Sequence, residues 1–359
     1  MVASMASMKI GNRKIGAGEP LYFIADVGAN HDGNLQRAYE LIELAKSSGA
    51  HAAKFQNFKA NKIVSRKGFE DLSGKLSHQA AWKKSVYEVY EDASLSDDWT
   101  AKLKEKCVEV GIEYFTSPYD VDSVDHVDPF VSVYKIGSGD ITWLEIIDYI
   151  CKKGKPVLLA TGASDMRDVE RAMAVVQKNT SDIVLMQCNT NYTAGRENFR
   201  HINLNVLTMY AQRYPNVVLG LSDHTLGHAT VVAAVALGAR VFEKHFTDDN
   251  SREGPDHKFA MNPRTWREMV DCAGEAYESL GDGVKRVEKN EEATAKLQRR
   301  GLRFVRSLPS GHCIVKEDVF PLRPASEDSL PPFSVVDIVG KKLSRAVQKD
   351  ESVRMGDLL

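Results

Sequence analysis

The sequence predicts a TIM (β/α)8 barrel followed by a small mostly-β domain. Two observations point to the barrel. Short β-branched or apolar runs, eight in all, alternate with amphipathic helical patterns, the mark of parallel βα units. They occupy about 280 residues, near the ~250 typical of such a barrel. A third observation weighs against the open doubly wound sheet: no G-x-G-x-x-G follows the first run.

The runs are LYFIADVG (21–28), HAAKFQ (51–56), EYFTSP (113–118), VSVYKIG (131–137), PVLLATG (156–162), IVLMQC (183–188), VVLGLSD (217–223) and RVFEKHF (240–246). Between the first two, NLQRAYELIELAKSSGA (34–50) places Leu35, Ala38, Leu41, Ile42 and Ala45 on one helical face, with Gly49 as its stop. SDMRDVERAMAVVQKN (164–179) reads the same way. The stretch 57–112 holds more than one helix, and the connection between the third and fourth runs is short of helix. Residues 1–281 are therefore assigned to the barrel. The polar stretch 282–296 is read as a linker. Residues 297–359, with short strands punctuated by Gly and Pro, form a mostly-β domain. Some sixty residues make a marginal core alone, so that domain is expected to pack on another surface.

The 359 residues are 43% apolar and 27% charged, as in ordinary globular proteins. A net charge of −2 gives no global field toward nucleic acid or membrane. Five scattered cysteines without a C-x-x-C pair argue for free thiols in a reducing cytosol. No apolar run reaches the roughly 20 residues of a membrane span. The start, MVASMASMKIG, lacks the charged and apolar regions of a signal peptide, and no function is assigned to it. A cytoplasmic location is expected.

In a barrel, active sites form at the C-terminal ends of the strands. Polar residues fall there run after run: Asp26; Lys54 and Gln56; Thr116 and Ser117; Lys135, Ser138 and Asp140; Thr161; Asn189 and Asn191; Ser222, Asp223 and His224; Glu243, Lys244 and His245. Strands also turn polar simply on leaving the core, but eight together argue for one functional rim. His224 and His245 end neighbouring strands, about 4.8 Å apart, so two imidazoles at one height can share a divalent ion such as Mn²⁺, Mg²⁺ or Zn²⁺. Two histidines that only bond phosphate or backbone are the alternative. His31, His228 and His257 are read as solvated or capping residues, with His257 close to the site. Lys54 and Lys135 lie within strands, where a buried ammonium needs an anion. KIGSGD (135–140) and ATG (160–162) add small residues that let backbone N–H groups approach an oxyanion. Together these suggest a pocket for phosphate and carboxylate.

IADVGANHDGN, KFQ, FTSPYD, YKIGSGD, LATG, GLSDHTLG, EKHFT, GPDHKFAMNP and the C-terminal LRP and DIVGKKLSRAV resemble, in family order, the sialic acid synthase family. The resemblance runs from about residue 9 to 359. It implies a TIM barrel followed by an antifreeze-like domain, a domain-swapped homodimer, and condensation of phosphoenolpyruvate with an N-acylated mannosamine-type sugar. His224 and His245 would hold the divalent metal, Mn²⁺ foremost. Lys54, Thr116, Lys135, Ser138 and Ser222 would hold phosphoenolpyruvate. Asp256 and Tyr192 would face the acceptor sugar, and Arg323 would enter the partner's site. Asp26 and Asp140 stand where the family usually has Glu, Ala160 where its best-known members have Ser. The phosphate-site Asn is Asn189 or Asn191. The LRPASEDSLPP loop is longer and more acidic than usual.

The implied mechanism uses Asp26 or Asp140 as base for the attacking water or acid for the new alkoxide, with Lys54 and Lys135 stabilising phosphate. Two alternatives stand: a phosphoenolpyruvate-dependent synthase for another aldose, and a non-catalytic sugar-binding relative. The acceptor is left open among N-acetylmannosamine, its 6-phosphate and diacetamido-trideoxyhexoses.

Overall fold

The computed structural model describes residues 6–72, 79 and 82–359. The chain divides into two compact units, Met1–Leu280 and Gly281–Leu359.

The first unit opens with an antiparallel hairpin, β1 (Ser7–Ile10) and β2 (Arg13–Gly16). The sequence reading gave this segment no structure. Gly11, at φ +55°, makes the two-residue turn, and Met8, Ile10 and Ile15 are buried in the core. Eight parallel strands follow: β3 (Tyr22–Asp26), β4 (Ala52–Asn57), β5 (Glu113–Pro118), β6 (Tyr134–Ile136), β7 (Val157–Ala160), β8 (Ile183–Cys188), β9 (Val218–Asp223) and β10 (Val241–His245). Their order in the sheet is β5-β4-β3-β10-β9-β8-β7-β6, and β5 and β6 lie side by side. This is a nearly closed TIM barrel, as the sequence predicted.

Each expected run holds one strand. Helix Leu35–Ser47 is capped by Asn34, whose side chain accepts from Arg37 N, and buries Ala38, Leu41, Ile42 and Ala45 against the sheet. Gly49, at φ +97°, turns the chain back toward β4. The stretch between β4 and β5 includes helices Ala60–Ile63, Arg66–Asp71, Val86–Ala93 and Trp99–Val110. The connection from β5 to β6 has only the seven-residue helix Val121–Val127 and a 3-10 turn.

In the second unit, β11 (Gly301–Phe304) pairs antiparallel with β12 (Val319–Leu322). A separate core gathers Leu302, Phe304, Ile314, Ile338, Leu343, Val347 and Val353. Buried Asp318 accepts from Arg306 and His312, both at 2.7 Å. The stretch read as a linker carries a 3-10 turn, Lys289–Glu291, and a short helix, Glu292–Gln298.

Candidate active site

Alternation and register decide which rim residues enter the barrel. Along a strand successive side chains face opposite sides, while paired residues on parallel neighbours face the same side. His245 pairs with Asp26 and Asp26 with Lys54, which sets one inward layer. Glu243 pairs with Ser222 and Ser222 with Cys188, which sets another. Both layers line a cavity of about 420 Å³ at the C-terminal mouth, together with Gln56, Ser117, Lys135, Ser138, Asp140, Tyr192, His224 and Asp256.

The floor is a buried ionic cluster. Lys54 Nζ donates to Asp26 Oδ2 at 2.7 Å and lies 3.9 Å from Glu243 Oε1. Lys135 Nζ is 3.1 Å from the same Glu243 oxygen, and Ser222 Oγ donates to it, also at 3.1 Å. Asp26 also accepts from Gly28 N at 3.0 Å and from Gln56 at 3.3 Å, and His245 Nε2 lies 3.4 Å away. Burial alone would raise the Asp26 pKa, but Lys54, His245 and Lys135 outweigh it and hold the carboxyl below its ordinary value. Burial likewise disfavours the Lys54 cation, yet Asp26 and Glu243 raise its pKa. Asp140 differs. Burial pushes it up to about 6, with Lys135 a partial counterweight.

The two imidazoles come together as expected. The ring centroids of His224 and His245 are 5.4 Å apart. His224 Nδ1 bonds the Asn189 carbonyl at 2.9 Å, which orients the ring. Burial, then His245, lowers its pKa to about 3, so the ring is neutral at physiological pH. Tyr192 packs edge-on against His224 at 4.2 Å. Asp256 Oδ2 accepts from Ala29 N and lies 3.5 Å from His245 Nδ1. Gly28, at φ +51°, is required here: a Cβ would lie 2.7 Å from Asp256 Oδ2 and 3.1 Å from His245.

Buried polar atoms are nearly always hydrogen-bonded. Among the described residues, three such atoms around this cavity have no hydrogen-bond partner: Glu243 Oε2, His245 Nδ1 and Ser117 Oγ. The orphaned His245 nitrogen and the oriented His224 ring fit a divalent ion held by two imidazoles. Among the described residues no group of three or more His, Cys, Asp or Glu could hold an ion, so water and substrate oxygens would complete its shell.

Several sequence expectations need correction. Thr116 faces away from the barrel interior, donating to Asn57 Oδ1 at 2.7 Å, and Asn57 in turn bonds Thr100 of the outer helix layer. Its neighbour Ser117 takes the inward position. Thr161 is buried against Met186 O and the Tyr210 hydroxyl, not on the cavity wall. Asn189 and Asn191 line a second, more open pocket with Asn198 and His201. Asp223 and Lys244 pair with each other among Thr225 and Thr230, out of phase with inward-facing Ser222 and Glu243. His31 and His257 are buried rather than solvated: His31 accepts from Gly33 N, and His257 bonds Thr247 and Asp32. Arg323 is exposed in the second unit, just after β12 and before Pro324, to which it is joined by a cis bond. Glu243, given no role from sequence, is the group that bridges both lysines. Its pairing opposite Ser222 was the signal that register alone supplies.

A barrel with acids, lysines and imidazoles converging at its C-terminal mouth is built as an enzyme. A family model described as the NeuB family matches residues 41–285, and the chain belongs to that family. It is 35% identical over 345 residues to the N,N'-diacetyllegionaminic acid synthase of Legionella pneumophila, covering 93% of this chain and 95% of that one. It is 31% identical over 359 residues to a pseudaminic acid synthase of Campylobacter jejuni, covering 98% and 99%. The crystal structure of N-acetylneuraminic acid (sialic acid) synthetase from Leptospira borgpetersenii matches with a TM-score of 0.70 at 26% identity, covering 80% of this chain and 94% of that chain. The sialic acid synthase resemblance and the reading of a synthase are both borne out. Among the described residues no helix is long and apolar enough to cross a membrane.

Proposed function

We propose that this chain condenses phosphoenolpyruvate with the open-chain aldehyde of an N-acylated, mannosamine-type hexosamine, giving a nine-carbon 3-deoxy-ulosonic acid and phosphate. Similarity to synthases named for legionaminic and pseudaminic acids supports that product class. The observation that carries the reading is the cavity floor, where Lys54 and Lys135 converge on Glu243 with Ser222 beside them. Two buried ammoniums within reach of one point suit a substrate bearing a phosphate and a carboxylate.

The enol carbon of phosphoenolpyruvate forms the new bond to the aldehyde carbon, and the aldehyde oxygen takes up a proton. Water adds to the electron-poor C2. The bond from C2 to the phosphate oxygen then breaks, leaving a ketone and free phosphate. Lys54 and Lys135 neutralise the phosphate throughout, fixed before reaction by Asp26 and Glu243. Asp140, with its pKa at about 6, accepts the proton of the attacking water. Asp26 stays ionised and positions Lys54. His224 and His245 would hold a divalent ion, Mn²⁺ foremost, which when bound supplies Lewis-acid polarisation of a carbonyl oxygen. A homodimer in which the antifreeze-like second unit is swapped, with Arg323 orienting the partner's acceptor, belongs to the same proposal.

The test is phosphate release from phosphoenolpyruvate and Mn²⁺ with a panel of N-acylated hexosamines and phosphorylated aldoses. Release with an N-acylated hexosamine is expected. Release with phosphorylated aldoses alone, or with none, overturns the reading.

A further inference from the structure

We propose that Asn189 is a positioning residue for His224: its side chain pins its own backbone carbonyl against the imidazole and so fixes the tautomer that offers Nε2 to a divalent ion. The inference rests on the metal reading above. The sequence set Asn189 among the candidate phosphate contacts, yet it lines the second pocket rather than the reaction cavity. What it gives the cavity is its main chain.

A carbonyl oxygen can only accept, so His224 Nδ1, 2.9 Å from Asn189 O, carries the hydrogen. In the neutral ring Nε2 then keeps its lone pair, the form in which an imidazole binds a metal. Were that carbonyl turned away, both tautomers would be open to the ring. A second contact on His224, the Tyr192 ring edge-on at 4.2 Å, comes from the same loop.

The peptide that carries this carbonyl is held from both sides. Asn189 directly follows β8. Its Nδ2 donates to His201 O at 3.2 Å, and its Oδ1 accepts from Asn191 N, also at 3.2 Å, closing a side-chain turn. His201 ends the 3-10 helix Arg196–His201, and the next carbonyl, Ile202 O, accepts from Gln187 of β8 at 2.9 Å. The anchor is therefore tied back to the strand that carries Asn189. Within the loop, Asn191 Oδ1 accepts from Thr193 N at 3.0 Å, and buried Asn198 donates to Thr193 Oγ1 at 3.0 Å. On the other side Thr190 closes over Gly162, where a Cβ would lie 2.5 Å from its Cγ2. Groups that orient a metal-bound histidine are worth roughly 10–100-fold in metal affinity. The Asn189 side chain acts through its carbonyl, which places its loss at the lower end.

The test is isothermal titration of Mn²⁺ into the metal-free full chain, wild type against Asn189→Ala. The histidine ring nitrogens of both are followed by ¹⁵N NMR, with His224 assigned by its loss in His224→Gln. Affinity is expected to fall about tenfold. The wild-type His224 signal, protonated at Nδ1, is expected to become a mixture of tautomers. Excess Mn²⁺ should restore kcat, with the KM for phosphoenolpyruvate unchanged. A raised KM at unchanged Mn²⁺ affinity would make Asn189 a phosphate contact and overturn the proposal, as would an unchanged tautomer. Should Asn189→Ala fail to fold, Asn189→Ser keeps an oxygen for Asn191 N and removes the reach to His201 O. It is expected to move both readouts in the same direction, and no movement overturns the proposal. If the wild type takes up no Mn²⁺, the metal reading falls. The tautomer then still decides the role of Asn189: mixed in the variant supports it, unchanged overturns it.

Discussion

Asp26→Ala should destabilise the first unit by a large, pH-dependent amount. Asp26 and Lys54 are each 2% exposed, and their charged atoms are 2.7 Å apart. At an effective dielectric of ~20, two unit charges at that distance attract by about 6 kcal/mol. Desolvation of both groups opposes much of this. Removing one partner nevertheless leaves a buried charge, at a cost of roughly 3–5 kcal/mol. Lys54 would keep Glu243, at 3.9 Å and already engaged by Lys135, and a weaker attraction to Asp256. For a unit of this size that corresponds to a fall of roughly 6–20 °C in the melting temperature of the barrel. The assay is thermal unfolding followed by near-UV circular dichroism. The folded pKa of Asp26 is lowered, so its contribution is present above the unfolded value near 4 and is lost as pH falls through the folded value. The gap between wild type and variant should therefore hold at pH 5 to 7 and close only in stronger acid. Asp26→Ala with Lys54→Met removes both charges and should recover much of the loss. A single-variant loss under about 1 kcal/mol, or a double variant no better than the single, would refute the argument.

Asp140 gives a second pH test. With a folded pKa of about 6, raised by burial, kcat/KM should rise with pH through that region, and Asp140→Asn should lose both the limb and most turnover. A raised carboxyl pKa also weakens the folded state as pH climbs from about 4 through 6, so Asp140→Asn should be more stable at neutral pH, by on the order of 2 kcal/mol in thermal unfolding. Glu243→Gln keeps the shape but removes the charge that holds the lysines together. A fall of about tenfold or more in kcat/KM for phosphoenolpyruvate is expected in steady-state assays, and unchanged kinetics would make Glu243 a packing residue. His224→Ala should abolish Mn²⁺ binding in isothermal titration and metal-dependent turnover together. Thr116→Val should lose about 1 kcal/mol of stability with kinetics intact, while Ser117→Ala should raise the KM for phosphoenolpyruvate; the reverse pattern would reinstate Thr116.

The barrel was legible because its signal is periodic and repeated. β-branched runs and helical faces recur from the first run onward, and each run contains a strand. The hairpin Ser7–Gly16 was not, because Met8, Ile10 and Ile15 alternate over only a few residues. The site was legible as a rim but not in phase. In FTSP both Thr116 and Ser117 are polar, and only the inward direction of the strand distinguishes them. Thr161 follows β7 and turns to Tyr210. Glu243 and Lys244 look equivalent in sequence, yet one bridges Lys54 and Lys135 and the other pairs with Asp223. Register across strands is a long-range property, and a single strand does not encode it.

The proposed reaction forms a carbon–carbon bond and cleaves between C2 and the phosphate oxygen. Phosphoenolpyruvate carrying a heavy oxygen isotope at its enol position, turned over with an N-acylated hexosamine, tests it directly by mass spectrometry of both products. The label is expected in the released phosphate, with an unlabelled ketone in the ulosonic acid. Label kept in the sugar acid would mean cleavage at phosphorus and would contradict the account.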